Sequence, residues 1–243
     1  MSDQTLLQVV EVTKRFDSLV AVDRVSFDIG RGEIVGLIGP NGAGKTTLFN
    51  LLTGLERADS GRIVFKKVDI THKPSYQICR LGMSRTFQIA KTFAILTVAE
   101  AVRVGAYNAL PEHSVAAKVD EVIELCQLKD IREHKCNDLS LALLRRVELA
   151  RAIATGAELI LLDEAGAGLN GTELAALMDL LNRLNSQAGI TLCVVEHVMQ
   201  MVMGLCPRII VLDSGVLIAR GTPDEIRHNP NVIEAYLGKR VLA

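Results

Sequence analysis

Residues 39–47, Gly39-Pro40-Asn41-Gly42-Ala43-Gly44-Lys45-Thr46-Thr47, satisfy G-x-x-x-x-G-K-[ST]. They stand between an apolar segment, Ile34-Val35-Gly36-Leu37-Ile38, and a helix-forming one, Leu48-Phe49-Asn50-Leu51-Leu52. This pattern is suited to holding a nucleoside triphosphate. Glycines let the backbone curl until its N–H groups point at the β- and γ-phosphates, and the helix that follows turns the positive end of its dipole to the same oxygens. Lys45 adds a point charge on the phosphates. Thr46 adds a hydroxyl for Mg²⁺, a cation that keeps several waters and takes few protein ligands.

A second chemical group closes the apolar run Leu159-Ile160-Leu161-Leu162, which ends in Asp163-Glu164. Two carboxylates at the carboxyl end of a buried parallel strand lie where open α/β sheets bind ligands. Asp163 is suited to hold Mg²⁺ through its water shell, opposite Thr46. Glu164, one residue on, can reach the water that attacks the γ-phosphate, as general base or as water-positioner. The run Val194-Val195-Glu196-His197 repeats the arrangement and delivers His197 to the same sheet edge, where it can hydrogen-bond the γ-phosphate and sense its loss.

The elements that must position these groups are legible in the hydropathy pattern. Strands are expected at Gln8–Val12, Val25–Ile29, Ile34–Ile38 and Arg62–Phe65, then helical spacing from Val98 to Leu128 with a break at Leu110-Pro111. After Arg145 a helix runs to about Ala154. Strand and helix then alternate: Leu159–Leu162 strand, Thr172–Gln187 helix, and Ile190–Val195, Arg208–Leu212 and Val216–Ala219 strands, implying a parallel core. The chain has 243 residues, 49% of them hydrophobic, enough for a substantial core. A net charge of −1 argues against nucleic acid as a partner. The 5 cysteines form no C-x-x-C pair, the pattern of reduced thiols in a cytosolic protein rather than of disulfides or a zinc site. No run of eighteen apolar residues occurs, so any association with a membrane is peripheral.

Over about residues 8 to 238 these motifs, in this order, resemble the nucleotide-binding subunit of an ABC transporter. The resemblance implies an α/β P-loop NTPase fold with a mostly parallel core sheet, an N-terminal antiparallel β subdomain and an inserted helical subdomain. Residues 1–243 form a single ABC ATPase domain, with 1–88 and 156–243 as catalytic core, 89–155 as the helical subdomain and 222–243 as a C-terminal tail helix. It further implies that Phe16 stacks on adenine and that Gly39 to Thr46 cradle the phosphates of ATP. Gln88 would sense Mg²⁺ and couple to the transmembrane partner, with Asp163, Glu164 and His197 as Mg²⁺ aspartate, catalytic glutamate and switch histidine. Arg85-Thr86-Phe87-Gln88, Ala167-Gly168-Leu169-Asn170 and the tail Val232-Ile233-Glu234-Ala235-Tyr236-Leu237-Gly238 are similar to the ATP-binding subunits of branched-chain amino-acid importers. The partners so implied are transmembrane permease subunits, an external solute-binding protein reached through them, and a second ABC ATPase subunit. The location is the cytoplasmic face of the inner membrane.

One motif departs from the family. Its signature loop, Leu-Ser-Gly-Gly-Gln or Leu-Ser-x-Gly-Gln, is Leu139-Ser140-Leu141-Ala142-Leu143 here. In the ATP-bound dimer that loop presses its serine and backbone N–H groups on the γ-phosphate held by the other subunit, and a methyl at Ala142 crowds the approach. Loss of one charge-assisted contact to phosphate costs about 1.5–3 kcal/mol, a factor of roughly ten to a hundred in rate. Ala165 and Gly171 also stand where proline is usual. With Lys45, Thr46, Gln88, Asp163, Glu164 and His197 all kept, the expectation is hydrolysis in a heterodimer whose partner supplies an intact signature to this chain's nucleotide, a homodimer being the alternative. A regulatory subunit with little hydrolysis is the competing function. Soluble ABC proteins of translation or repair bring a second nucleotide-binding half or a coiled-coil insert, and this chain has neither; a small-molecule kinase needs a substrate-binding lid with catalytic arginines and does not explain Gln88 and His197 in register.

Overall fold

Alternating valine, isoleucine and phenylalanine make residues 5–30 a hairpin. In the computed structural model, which describes residues 5–86 and 94–238, strands β1 (Thr5–Phe16) and β2 (Leu19–Gly30) pair antiparallel, with Val22, Val25, Phe27 and Ile29 turned inward. β4 (Ser60–Phe65) and β5 (Val68–Asp69) complete an antiparallel sheet of order β2-β1-β4-β5. Both β1 and β2 outrun the expected strands, since hairpin pairing carries the ladder into flanks with no hydrophobic alternation.

The second sheet holds β3 (Ile34–Ile38), β6 (Met83–Arg85), β7 (Leu159–Asp163), β8 (Thr191–Val195), β9 (Arg208–Asp213) and β10 (Val216–Gly221), in the order β10-β9-β3-β8-β7-β6. All neighbours are parallel except β9 and β10. Its strands are continuously apolar because both faces are covered. Ile160 and Leu162 of β7 face a core built with the helices, while Leu159 and Leu161 face a second core shared with the antiparallel sheet. Helix α1 (Lys45–Leu52) lies in that second core through Leu48, Phe49, Leu51 and Leu52. After β5, α2 (Ser75–Leu81) leads into β6.

The helical insert comprises α3 (Val98–Ala106), opened by a Thr97/Glu100 capping box, α4 (Glu112–Leu125) and α5 (Leu141–Ala154). The expected break falls at Pro111, the N-cap of α4. α5 begins four residues before the pattern predicts, because Ser140 caps it. Helices α6 (Gly171–Ala188) and α7 (Met199–Leu205) cover the parallel sheet. In the described part of the expected tail helix over 222–243 two short helices stand, α8 (Pro223–Arg227) and α9 (Pro230–Leu237). α8 ends at its C-cap His228, and Asn229 caps α9 ahead of Pro230.

Candidate functional site

The loop from β3 to α1 is shaped by close backbone approach. A Cβ on Gly39 would sit 2.1 Å from the Leu212 carbonyl oxygen. On Gly44 it would meet the Ala21 oxygen at 2.3 Å, and Gly44 has φ +98°, where L side chains are strained. The loop is closed by Lys45, whose Nζ donates to the carbonyls of Gly39 at 2.7 Å and Pro40 at 2.9 Å. Burial lowers the Lys45 pKa, opposed by Glu164 and Asp163. An anion entering the loop replaces that internal bonding with a better partner. The first turn of α1 carries no acid to compete with it. Residues 41–47 line a cleft of about 520 Å³ together with Phe16, Leu19, Val20, Ala21, Glu164, Val195, His197 and Ser214. Phe16 ends β1 with its ring half-exposed and the Lys14 ammonium 5.0 Å from the ring centroid.

Asp163 ends β7 largely buried. Its Oδ2 accepts from Arg85 Nη2 at 2.6 Å, and its N–H donates to Thr86 Oγ1 at 3.3 Å. Arg85 also donates through Nη1 to Asn50 Oδ1 of α1 at 2.7 Å and lies 5.5 Å from the Phe49 ring. The guanidinium thus joins the phosphate-loop helix to the acidic strand end, a role that no local pattern announces. Glu164 takes φ +50°, uncommon for a residue with a side chain and a frequent mark of functional turns. Its N–H donates to the Val195 carbonyl at 2.9 Å, and its Oε1 lies 3.3 Å from His197 Nε2. Glu196, between Val195 and His197, is 1% exposed, and its Oε1 accepts the Gly166 N–H at 2.6 Å. Burial pushes its carboxyl above the ordinary glutamate range against the pull of backbone N–H groups.

Thr46 and Asp163 offer only hard oxygens, a donor set that fits Mg²⁺. Among the described residues no cluster of three or more His, Cys, Asp or Glu competes for a softer metal. Gln88 lies outside the described residues. The segment expected to serve as the signature loop opens α5 at the surface: Ser140 Oγ accepts the Leu143 N–H at 3.4 Å, and Leu141 is half-exposed. One Leu141 methyl lies 3.0 Å from where a Cβ on Gly168 would stand. Ser140, Leu141 and Ala142 are not among the described residues that line this chain's own cleft.

A parallel sheet with a glycine-rich loop opening a helix at its carboxyl edge, an antiparallel sheet over that helix and a helical insert together define a P-loop NTPase of the ATP-binding cassette kind. Residues 22–167 match the family model described as ABC transporter, and residues 216–241 match that of the branched-chain amino acid ATP-binding cassette transporter. The chain is 38% identical over 252 residues to the high-affinity branched-chain amino acid transport ATP-binding protein LivG of Salmonella typhimurium, covering 97% of this chain and 99% of that one. It is 34% identical over 250 residues to BraF of Pseudomonas aeruginosa, which carries the same description, covering 96% and 98%. The ADP conformation of MJ1267, an ATP-binding cassette of an ABC transporter, superposes with a TM-score of 0.87 at 29% identity over 97% of this chain and 99% of that one. The chain therefore belongs to the ABC transporter ATP-binding family.

Proposed function

We propose that this chain binds and hydrolyses ATP to drive an ABC importer of branched-chain or related amino acids. It would work at the cytoplasmic membrane face with transmembrane permease subunits, an external solute-binding protein and a second ABC ATPase subunit. The observation that carries hydrolysis is the Glu164–His197 pair, 3.3 Å apart, at the mouth of a cleft that Lys45 and the phosphate loop close from the other side. Phe16 stacks on adenine, and the N–H groups of residues 41–47 with Lys45 hold the triphosphate. Thr46, Asp163 and Gln88 would hold Mg²⁺, which when bound would supply neutralising charge to the phosphates. Glu164 takes a proton from the attacking water as its oxygen bonds the γ-phosphorus. The bond from that phosphorus to the β,γ-bridging oxygen breaks, and its electron pair leaves with ADP. His197 holds Glu164 in place and bonds the γ-phosphate, whose release unlatches it. The amino-acid class is supported by the tail match and by the names of the relatives.

The second reading, a regulatory subunit with little hydrolysis, rests on Leu141-Ala142-Leu143 in the signature loop. Light scattering of Glu164→Gln protein with and without Mg-ATP, beside phosphate release by the wild type, separates the two, a shift to dimer without wild-type release supporting the regulatory reading. A shift to dimer with steady wild-type release supports a homodimeric ATPase. Binding without dimerisation or release supports a heterodimer in which another chain completes the site. No ATP binding at all refutes the proposal.

A further inference from the structure

We infer that Glu196 is a positioning residue for hydrolysis, a buried anchor that fixes the turn carrying Glu164 to the strand end carrying His197. The inference rests on the catalytic reading of that pair given above. Three consecutive residues hold the turn at three points: the Val195 carbonyl at the Glu164 N–H (2.9 Å), Glu196 Oε1 at the Gly166 N–H (2.6 Å), and His197 Nε2 at Glu164 Oε1 (3.3 Å). The first and third act on Glu164 itself. Glu196 acts two residues further on, at Gly166.

A fully buried carboxylate is costly unless its bonds answer a need, and an apolar residue would fill this place more favourably. The need is local. Glu164 at φ +50° turns the chain out of β7, leaving the Gly166 N–H in the interior. An unpaired buried N–H is seldom tolerated. Glu196 supplies its acceptor, and the N–H groups of His197 and Val198 also attract the carboxylate. The fit has no slack, since a Cβ on Gly166 would come within 3.0 Å of Leu174 Cδ1 and Met201 Sδ and 3.3 Å of Glu196 Oε1. Beyond Gly166 the loop passes Gly168, against Leu141 of the signature, and ends at Asn170, which caps α6 by accepting from Thr172 and Glu173 N–H at 3.0 Å each. Glu196 therefore fixes the near end of a segment that runs from the cleft to the signature face, and Asn170 fixes the far end.

The test compares Glu196→Met, which keeps the volume and removes the acceptor, with Glu196→Gln, which keeps the acceptor. Steady-state ATPase, ATP affinity by titration and amide hydrogen exchange of the 164–170 segment are read for each. Glu196→Met is expected to lose tenfold or more in kcat with ATP affinity within threefold of wild type and faster exchange in 164–170, and Glu196→Gln to recover kcat to within threefold. Should Glu196→Met not fold, Glu196→Asp withdraws the acceptor by one methylene and must show the same split. A Glu196→Met enzyme with wild-type kcat overturns the inference, as does a Glu196→Gln enzyme that falls as far. If wild type alone binds ATP without turning it over, catalysis requires a partner chain, and if it binds no ATP the catalytic reading fails separately. Exchange then decides the anchor alone, unchanged protection in Glu196→Met refuting it.

Discussion

Arg85→Met is expected to destabilise the fold by about 4 kcal/mol, a loss of nearly three powers of ten in the folding equilibrium. Arg85 and Asp163 side chains are 6% and 13% exposed, so solvent screens their 2.6 Å pair little. Removing one partner of such a pair leaves the other charge buried alone, a penalty of about 3–5 kcal/mol. The bond to Asn50 and the Phe49 ring contact add on the order of 1 kcal/mol, partly recovered by packing of the methionine. Urea unfolding measures the loss, with an unchanged m-value showing that the folded state is otherwise intact. Since domains of this kind carry only about 5–15 kcal/mol, the shift in midpoint is large. Arg85→Met with Asp163→Asn should regain about 2 kcal/mol or more over the sum of the single changes, because no charge is then left unpaired. A loss under about 1 kcal/mol, or strict additivity in the double variant, would refute the view that this pair joins the phosphate-loop helix to the acidic strand end.

Gly44→Ala, with φ +98° and a Cβ 2.3 Å from the Ala21 oxygen, should weaken ATP binding at least tenfold and cost about 1–3 kcal/mol of stability. Calorimetric titration of ATP reads the first and thermal unfolding the second; wild-type affinity would show that the loop is not held as described. The raised pKa of Glu196 means that the folded state holds its proton to higher pH than the unfolded chain, whose glutamates titrate near 4.5. This carboxyl therefore lowers stability as pH rises from there through its folded pKa. Glu196→Gln removes that loss, so its stability relative to wild type should climb over that window and level off above it. Denaturant unfolding from pH 4.5 to 8 checks it, and a gap that narrows with rising pH would contradict the assignment.

The fold was legible wherever pattern and layer agree. Ile34–Ile38 and Leu159–Leu162 are continuously apolar because α/β packing covers both faces, and both fall within buried parallel strands. β6, with three residues, and β5, with two, are too short to show a period, and α7 reads as another apolar run. In the site, Lys45, Thr46, Asp163, Glu164 and His197 were singled out as candidates because the proposed chemistry limits their type and spacing, and the fold brings Lys45, Thr46, Glu164 and His197 into one cleft, with Asp163 at the adjoining strand end. Arg85 and Glu196 were not. Their partners lie 78 and 30 positions away, so only tertiary structure shows what they hold.

The altered signature admits a sharper experiment than a comparison of rates. Leu141 is half-exposed and also lies beside Gly168 of its own chain, so replacing it acts both within the chain and on any subunit that faces it. Joining two copies by a flexible linker separates them. In one pair, a Lys45→Ala copy carries Leu141→Gly, Ala142→Gly and Leu143→Gln, and the other copy is wild type. In the second pair those three changes sit on the copy with the intact phosphate loop, opposite a plain Lys45→Ala copy. If the signature acts on the nucleotide of the opposite subunit, only the first pair gains, by about tenfold or more for one recovered contact of roughly 1.5–3 kcal/mol. Equal gain in both pairs would assign the effect to the Leu141–Gly168 contact within one chain. No gain in either would mean that Leu141-Ala142-Leu143 already serves as a working signature, leaving the heterodimer without its main support.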